Sequence, residues 1–307
     1  MSWLLILEQT LNGIQFGVFL FLISAGLTLV LGIMNVVNLA HGSLYMLGAY
    51  YAATVVAWTG SFVLAFVIVV PAAMITGIVI EVVTLRTLYD RDHMDQVLAT
   101  FGLILFFNEL VRLVWGPEPQ PLNIPAFLEG AVEIIPGAPY PVFRLAIIAA
   151  GLAVAAGLFI LITRSRMGML IRAGASNRSM VGALGINIRL LYRLVFGLGA
   201  VLAGFSGLMA GPILSVEPGM GEDMLILAFV VIVIGGIGSI RGAIVASVIV
   251  GLFETVGRSI LPATLAQFMS SDSAQTAGPA LASMLIYIFM AGVLFLKPQG
   301  LFPARTG

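Results

Sequence analysis

The sequence predicts an all-α, polytopic transmembrane bundle of about eight or nine spans with broken helices. Three observations carry this prediction. Of the 307 residues, 60% are hydrophobic and only 9% charged, with a mean hydropathy of +1.12; a soluble domain carries about 25% charged residues. The apolar residues come in repeated runs of roughly 20, the helix length that crosses a ~30 Å hydrocarbon core. The runs lack the strict alternation of polarity that marks the strands of a membrane barrel. The 35 glycines suit membrane helices that pack closely through small residues.

Met1–Gln9 is a short amphiphilic lead, and Leu11–Gly32 is the first apolar run. The first Lys or Arg is Arg86, so the basic n-region of a cleaved signal is missing and the first span is expected to stay. The stretch Gly32–Ala53 places Asn35, Asn38, His41 and Ser43 next to Gly42 in apolar surroundings. Broken helices of this kind are tolerated in a membrane only inside protein or along a cavity. The four polar residues are therefore candidates for a translocation path, against the plainer reading of a turn in which His41 bonds a carbonyl.

Val37–Trp58 and Phe62–Leu85 follow, joined by a Trp-Thr-Gly-Ser turn. Arg86 and Arg91 place the next loop in the cytoplasm, because basic residues resist translocation and acidic ones weigh little. Gln96–Trp115 carries Glu109 and Arg112, three apart and able to pair on one helix face. Residues 116–141 hold seven prolines and three glutamates but no basic residue, and are expected outside. Val142–Ile162 and Leu190–Ala210 are further spans, and Gly211–Asp223 reads as an acidic external turn. Met224–Ile234 is short and runs into Gly235–Ala243, whose Gly236, Gly238 and Ser239 form a second polar, glycine-containing break. Ile244–Val256 completes another run. Residues 259–278 read as an external loop, and Gly278–Leu296 as the last span. Lys297 and Arg305 place the C-terminus in the cytoplasm. Nine spans put the N-terminus outside; a re-entrant break reduces the count to eight and moves it inside. Interrupted segments in two halves of a chain point to a transport pathway.

Between the fifth and sixth spans, residues 164–189 are expected to form a cytoplasmic loop. Thr163–Arg193 holds six of the fourteen basic residues and no Asp or Glu. Ser176 can cap a short helix in which Met180, Val181 and Leu184 share a face and Gly185 is the stop. A basic loop with a short amphipathic helix reads either as a docking surface for a soluble partner or as a solvated topology signal. The whole chain, 1–307, reads as one transmembrane domain.

Several chemistries are excluded. The absence of cysteine removes thiolate catalysis and thiol-ligated metals. Two histidines without an HExxH pair leave no zinc-protease site, and no catalytic or metal-ligating set is expected. Tyr89-Asp90 and Gly-Met-Gly-Glu-Asp (219–223) faintly suggest an intramembrane aspartyl pair. Carboxylates on opposite sides of a membrane, however, cannot share a proton. The single Lys297 precedes a proline, so the chain has no phosphate-binding P-loop and any ATP must bind another chain. Glu81, Glu109 and Glu254 fall toward span ends by these boundaries, unlike the mid-membrane charges of ion-coupled carriers.

Three stretches, LTLVLGIMNVVNLAHGSLYMLGAY, LATFGLILFFNELVRLVWG and VIVIGGIGSIRGAIVAS, resemble in that order the LivH-type permease subunits of branched-chain amino acid ABC importers. The loop RAGASNRSMVGALGIN and the ending LFLKPQGLF are similar to that family's segments as well. The resemblance covers Leu11 to Pro303. It implies a subunit in the bacterial inner membrane that binds no cofactor, pairs with a second homologous permease and meets two ATP-binding subunits in the cytoplasm. A periplasmic binding protein delivers Leu, Ile or Val, and no nucleic acid is involved. The resemblance puts the contact with the ATPases on Gly174, Ser176, Asn177, Arg178, Gly182 and Gly185, where many relatives carry an acidic residue that this chain lacks. Relatives also serve urea and short amides, which is the alternative substrate class; a self-sufficient carrier or channel is the alternative mechanism.

Overall fold

The computed structural model describes residues 3–89, 91–135 and 137–303; Asp90 and Arg305 lie outside them. Eleven α-helices occur among the described residues: α1 (Trp3–Met34), α2 (His41–Thr59), α3 (Phe62–Val83), α4 (His93–Trp115), α5 (Val142–Arg164), α6 (Arg166–Ser176), α7 (Arg178–Ala183), α8 (Ile188–Ala210), α9 (Met220–Gly235), α10 (Ile240–Leu265) and α11 (Ser271–Leu296). Seven of them, α1, α3, α4, α5, α8, α10 and α11, are long and apolar enough to cross a membrane. The nineteen-residue α2 and the sixteen-residue α9 are the remaining two of the nine apolar runs.

Helix α1 is the axis of the bundle. It is apolar on all sides, as a helix surrounded by protein must be, and 78% of its spanning window is buried, against 17–28% for α3, α4, α5, α10 and α11. Glycines let its neighbours approach backbone to backbone. A side chain at Gly17 would meet the Ser247 carbonyl of α10, and one at Gly26 the Gly199 carbonyl of α8. Such contacts replace the hydrophobic driving force that lipid does not supply.

The helix ends sort onto two faces. Gly174 of α6 packs on Ile33, Gly32 touches Gly238, and Gly236 lies against Phe302. The basic segment, the end of α1, the α9–α10 turn and the C-terminal stretch thus share one face. The opposite face holds the α2–α3 turn and the 116–141 connection. There Ala131–Ile135 and Ala138–Pro141 pair as an antiparallel hairpin (β1 and β2), with a register irregularity between Glu133 and Ile135. Gln120 bridges to Val216. Tyr140, its hydroxyl pushed above the usual phenol range by burial, donates to Asn12 Oδ1 at 3.1 Å, and Arg144 also donates to that oxygen.

Three sequence readings are corrected. Residues 259–278 are mostly helix: α10 runs on to Leu265, and Ser270, whose hydroxyl accepts from the Ser273 amide, opens α11, so only 266–270 connect them. Glu254 consequently lies mid-helix, not toward a span end, where it is buried and paired with Arg258 at 2.5 Å. Met220–Asp223 is not an external turn but the start of α9, entered through Gly219 at φ 94; its two carboxylates suit the positive end of the helix.

Candidate functional site

The first polar break is buried and folds back on itself. Helix α1 ends at Met34, and Asn35 turns the chain at φ 53, a left-handed conformation that asparagine tolerates. The Val37 amide donates to Gln96 Oε1, while Gln96 Nε2 reaches the carbonyls of Leu88 and Arg91. Asn38 Oδ1 accepts from the Ala40 amide. His41, fully buried, donates from Nε2 to the Ile23 carbonyl at 3.2 Å. Ile23 lies eleven residues before Met34, so α2 begins about 16 Å back along α1 at 1.5 Å per residue. The plainer reading of His41 therefore describes its geometry: the imidazole fastens the broken chain to a carbonyl.

Asn38 and His41 support the break from within, and Asn35 sits exposed at its turn. Gly236, Gly238 and Ser239 lie elsewhere. They form the tight α9–α10 connection, with φ 106 at Gly236 and φ 78 at Gly238, and Ser239 Oγ accepts the Gly242 amide at 3.1 Å. The segment after α11 braces this turn, since Leu301 and Phe302 donate their amides to the Ile234 and Gly235 carbonyls. Gly32, at the start of the first break, touches Gly238, but His41, bonded to Ile23, lies further into the bundle and does not join this turn.

What meets instead are the first turns of α2 and α9. A Cβ on Gly42 would stand 2.2 Å from the Gly221 carbonyl oxygen, and one on Gly221 equally close to that of Gly42. Beside this crossing, α2, α4 and α9 enclose a narrow cleft that Ser43, Asn108 and Glu222 share with Leu39, Met46, Ile104 and Leu225. Asn108 Nδ2 donates to Glu222 Oε1 at 2.5 Å. Of the sequence candidates, only Ser43 lines this cleft. Asn108 and Glu222 went unrecognised because nothing local joins residues 114 apart. The usable signal was two small-residue N-termini, His41-Gly42-Ser43 and Met220-Gly221-Glu222, each opening a short apolar run.

The basic segment is two helices, not a loop with one. Ser165 Oγ caps α6 by accepting the Gly168 amide at 2.9 Å. Ser176 ends α6, and the cap of α7 is Asn177, whose Oδ1 accepts from the Met180 amide at 3.0 Å. The correction has a simple cause: Asn177 is extended, at φ −154, as a cap residue must be. Val181 is buried, while Met180 and Leu184 are 58% and 72% exposed. Gly185 stops the helix at φ 83, Gly182 faces Ile188, and Gly174 packs on Leu191 of α8. The Arg178 side chain lies outside the described residues.

Just beyond this segment, Arg193 stands 3.5 Å from the buried carboxylate of Glu81 on α3. Glu81 also accepts from Tyr89 at 2.5 Å, and Tyr89 packs edge-on against Tyr192. Burial, reinforced by the adjacent carboxylate, pushes the Tyr89 hydroxyl well above the usual phenol range, so it remains a donor.

A glycine-packed bundle with interrupted helices and a basic helical arm defines a polytopic membrane protein of the permease class. Residues 9–294 match the family described as "Branched-chain amino acid transport system / permease component", and the chain belongs to that family. It is 31% identical to the high-affinity branched-chain amino acid transport system permease protein BraD of Pseudomonas aeruginosa, over 83% of this chain and 87% of that one. It is 29% identical to the permease protein LivH of Escherichia coli over 95% and 96%. A probable LivH of Methanocaldococcus jannaschii is 24% identical over 92% and 88%. No solved structure matches.

Proposed function

We propose that this chain is the membrane-spanning permease subunit of an ATP-driven importer of branched-chain or related hydrophobic amino acids in the bacterial inner membrane. The observation that carries the reading is the surface of α7. In a segment without acidic residues, Met180 of α7 and Leu184 at its end are turned outward, and the preceding helix α6 is fixed to α1 and α8 through Gly174. Exposed apolar residues grouped on a short helix mark a contact surface. On this reading two soluble ATP-binding subunits dock on residues 174–185, with Ser176, Asn177, Arg178, Gly182 and Gly185 shaping the contact. The basic face and the C-terminus are cytoplasmic. A periplasmic binding protein delivers solute to the opposite face, and a second homologous permease completes the path.

The chain itself breaks no bond and uses no cofactor; ATP acts in the partners. Motion of α7 passes directly into α8, and the Arg193–Glu81 pair carries it to α3. Among the polar residues read from the sequence, Ser43 is the one retained for the path.

The test is co-purification of the tagged chain with its genomic neighbours. Two ATPases and a second permease are expected, with release of the ATPases by Leu184→Glu or Arg178→Glu. A chain that purifies alone and moves leucine in liposomes without ATP is an independent carrier. A complex that moves urea or acetamide but not leucine belongs to the alternative substrate class.

A further inference from the structure

We infer that the face shared by α4 and α9 is the surface on which a second, non-identical permease packs, setting hydrogen-bond donors or a cation against Glu222 and Asp223. The inference rests on the importer reading and deepens it by naming the face that the second permease covers.

The depth of these carboxylates carries the argument. Asn108 lies twelve residues from Gln96 and seven from Trp115 on α4, about 18 Å and 10 Å at 1.5 Å per residue. Glu222 lies thirteen residues from Gly235 on α9, about 20 Å by the same measure. The Asn108–Glu222 hydrogen bond ties the two measures together. Both residues therefore stand within a ~30 Å hydrocarbon layer. Glu222 and Asp223 are nevertheless exposed on this chain, and the Asp223 side chain has no partner among the described residues. Carboxylates at such depth are too costly to leave against lipid and face protein or water instead. The middles of α5 and α11 differ: no charged residue occurs between Arg144 and Arg164 or between Asp272 and Lys297.

The same face is unfinished in its packing. Helix α4 meets its own bundle along one stripe, Gln96, Thr100, Ile104, Phe107 and Val111. Its outer stripe, Phe101, Leu105 and Arg112, is at least half exposed. Ile104 packs with Leu225 and Ile232 of α9 and Leu27 of α1, and Leu31 and Phe229 lie over that cluster, partly exposed. The otherwise enclosed axis of the bundle thus opens between α4 and α9. Charge then selects the occupant. The face carries Glu109, Glu222 and Asp223 against one cation, Arg112, which is already paired with Glu109. A two-fold contact sets one patch against its own copy and would bring acid to acid. A homologous permease with donors or a cation at this depth relieves the charge, and polar contacts of that kind hold membrane helices together.

The test places a benzophenone amino acid at single positions of the tagged chain, expressed with its genomic neighbours and irradiated in native membranes. Mass spectrometry identifies the adducts. Met180 should capture an ATP-binding subunit; no such adduct overturns the importer reading. Leu105 and Ile226 should capture the second permease at least fivefold more than Leu152 of α5 and Ile288 of α11, which are exposed to a similar degree. An ATPase at Met180 without this excess at Leu105 and Ile226 overturns the face alone. A copy of this chain captured there overturns the choice of partner. Asp223→Arg should lower co-purified second permease at least fivefold while the Met180 adduct persists; unchanged recovery overturns the role of the carboxylates. If Asp223→Arg fails to insert, the adducts at Leu105 and Ile226 decide.

Discussion

The two polar interruptions look alike on paper and differ in place. Asn35–Ser43 enters the bundle and starts a helix beside the middle of α1, with His41 and Asn38 fully buried. Gly235–Gly242 is a tight turn at the face that carries the basic segment, shaped by two positive-φ glycines, one serine cap and the braces from Leu301 and Phe302. A polar break thus announces irregular backbone without saying how deep it lies. Depth follows from what the chain on either side is packed against.

Substitutions should separate the two breaks by the size of their effect. The largest is expected at Gly42→Leu, whose side chain must displace the Gly221 backbone. Less than a tenth of parental transport should remain, with reduced recovery of folded protein in size-exclusion chromatography. Next, His41→Ala empties a packed site and removes the side-chain donor on the Ile23 carbonyl. It should lower stability by about 2–4 kcal/mol, from cavity and lost-partner terms together, read as a drop in the thermal midpoint in detergent. Gly236→Ala places a side chain at φ 106, where its Cβ meets the Gln299 and Phe302 carbonyls 2.9 Å away; about 1–3 kcal/mol is expected. Ser239→Ala removes one cap and should cost about 1 kcal/mol. A larger loss at Ser239 than at His41 would reverse the contrast between an internal and a peripheral break.

Much of the fold was legible because long apolar runs have few alternatives. The ends of α3, α4 and α5 fall within a few residues of where composition changes, at Phe62, Trp115 and Val142. The Glu109–Arg112 pair forms as its spacing requires, at 2.7 Å. Composition misled where a helix outlasts its apolar stretch: Ser259–Leu265 and Ser271–Gly278 are polar enough to read as loop, yet they continue α10 and open α11 past the membrane length. Helix α6 was hidden by its positive charge, which reads first as a topology signal, although Ser165 before Gly168 and apolar residues at Met167, Leu170 and Ile171 are a legible start. The crossing of Gly42 with Gly221 was out of reach, since a glycine records that something comes close but not what.

The burial of α1 also sets an order of events in biogenesis. The helix that becomes the axis of the bundle is made first, while α8 and α10, which enclose it, end at Ala210 and Leu265. At about 5–20 residues per second, the ribosome needs on the order of ten to fifty seconds to travel from Met34 to Leu265. For that interval the glycine faces of α1 and the polar groups of Gln15, Ser24 and Thr28, all buried in the finished protein, wait in lipid or in the insertion machinery without their partners. A slowed ribosome or an occupied insertase should therefore harm this chain more than one whose central helix is made last.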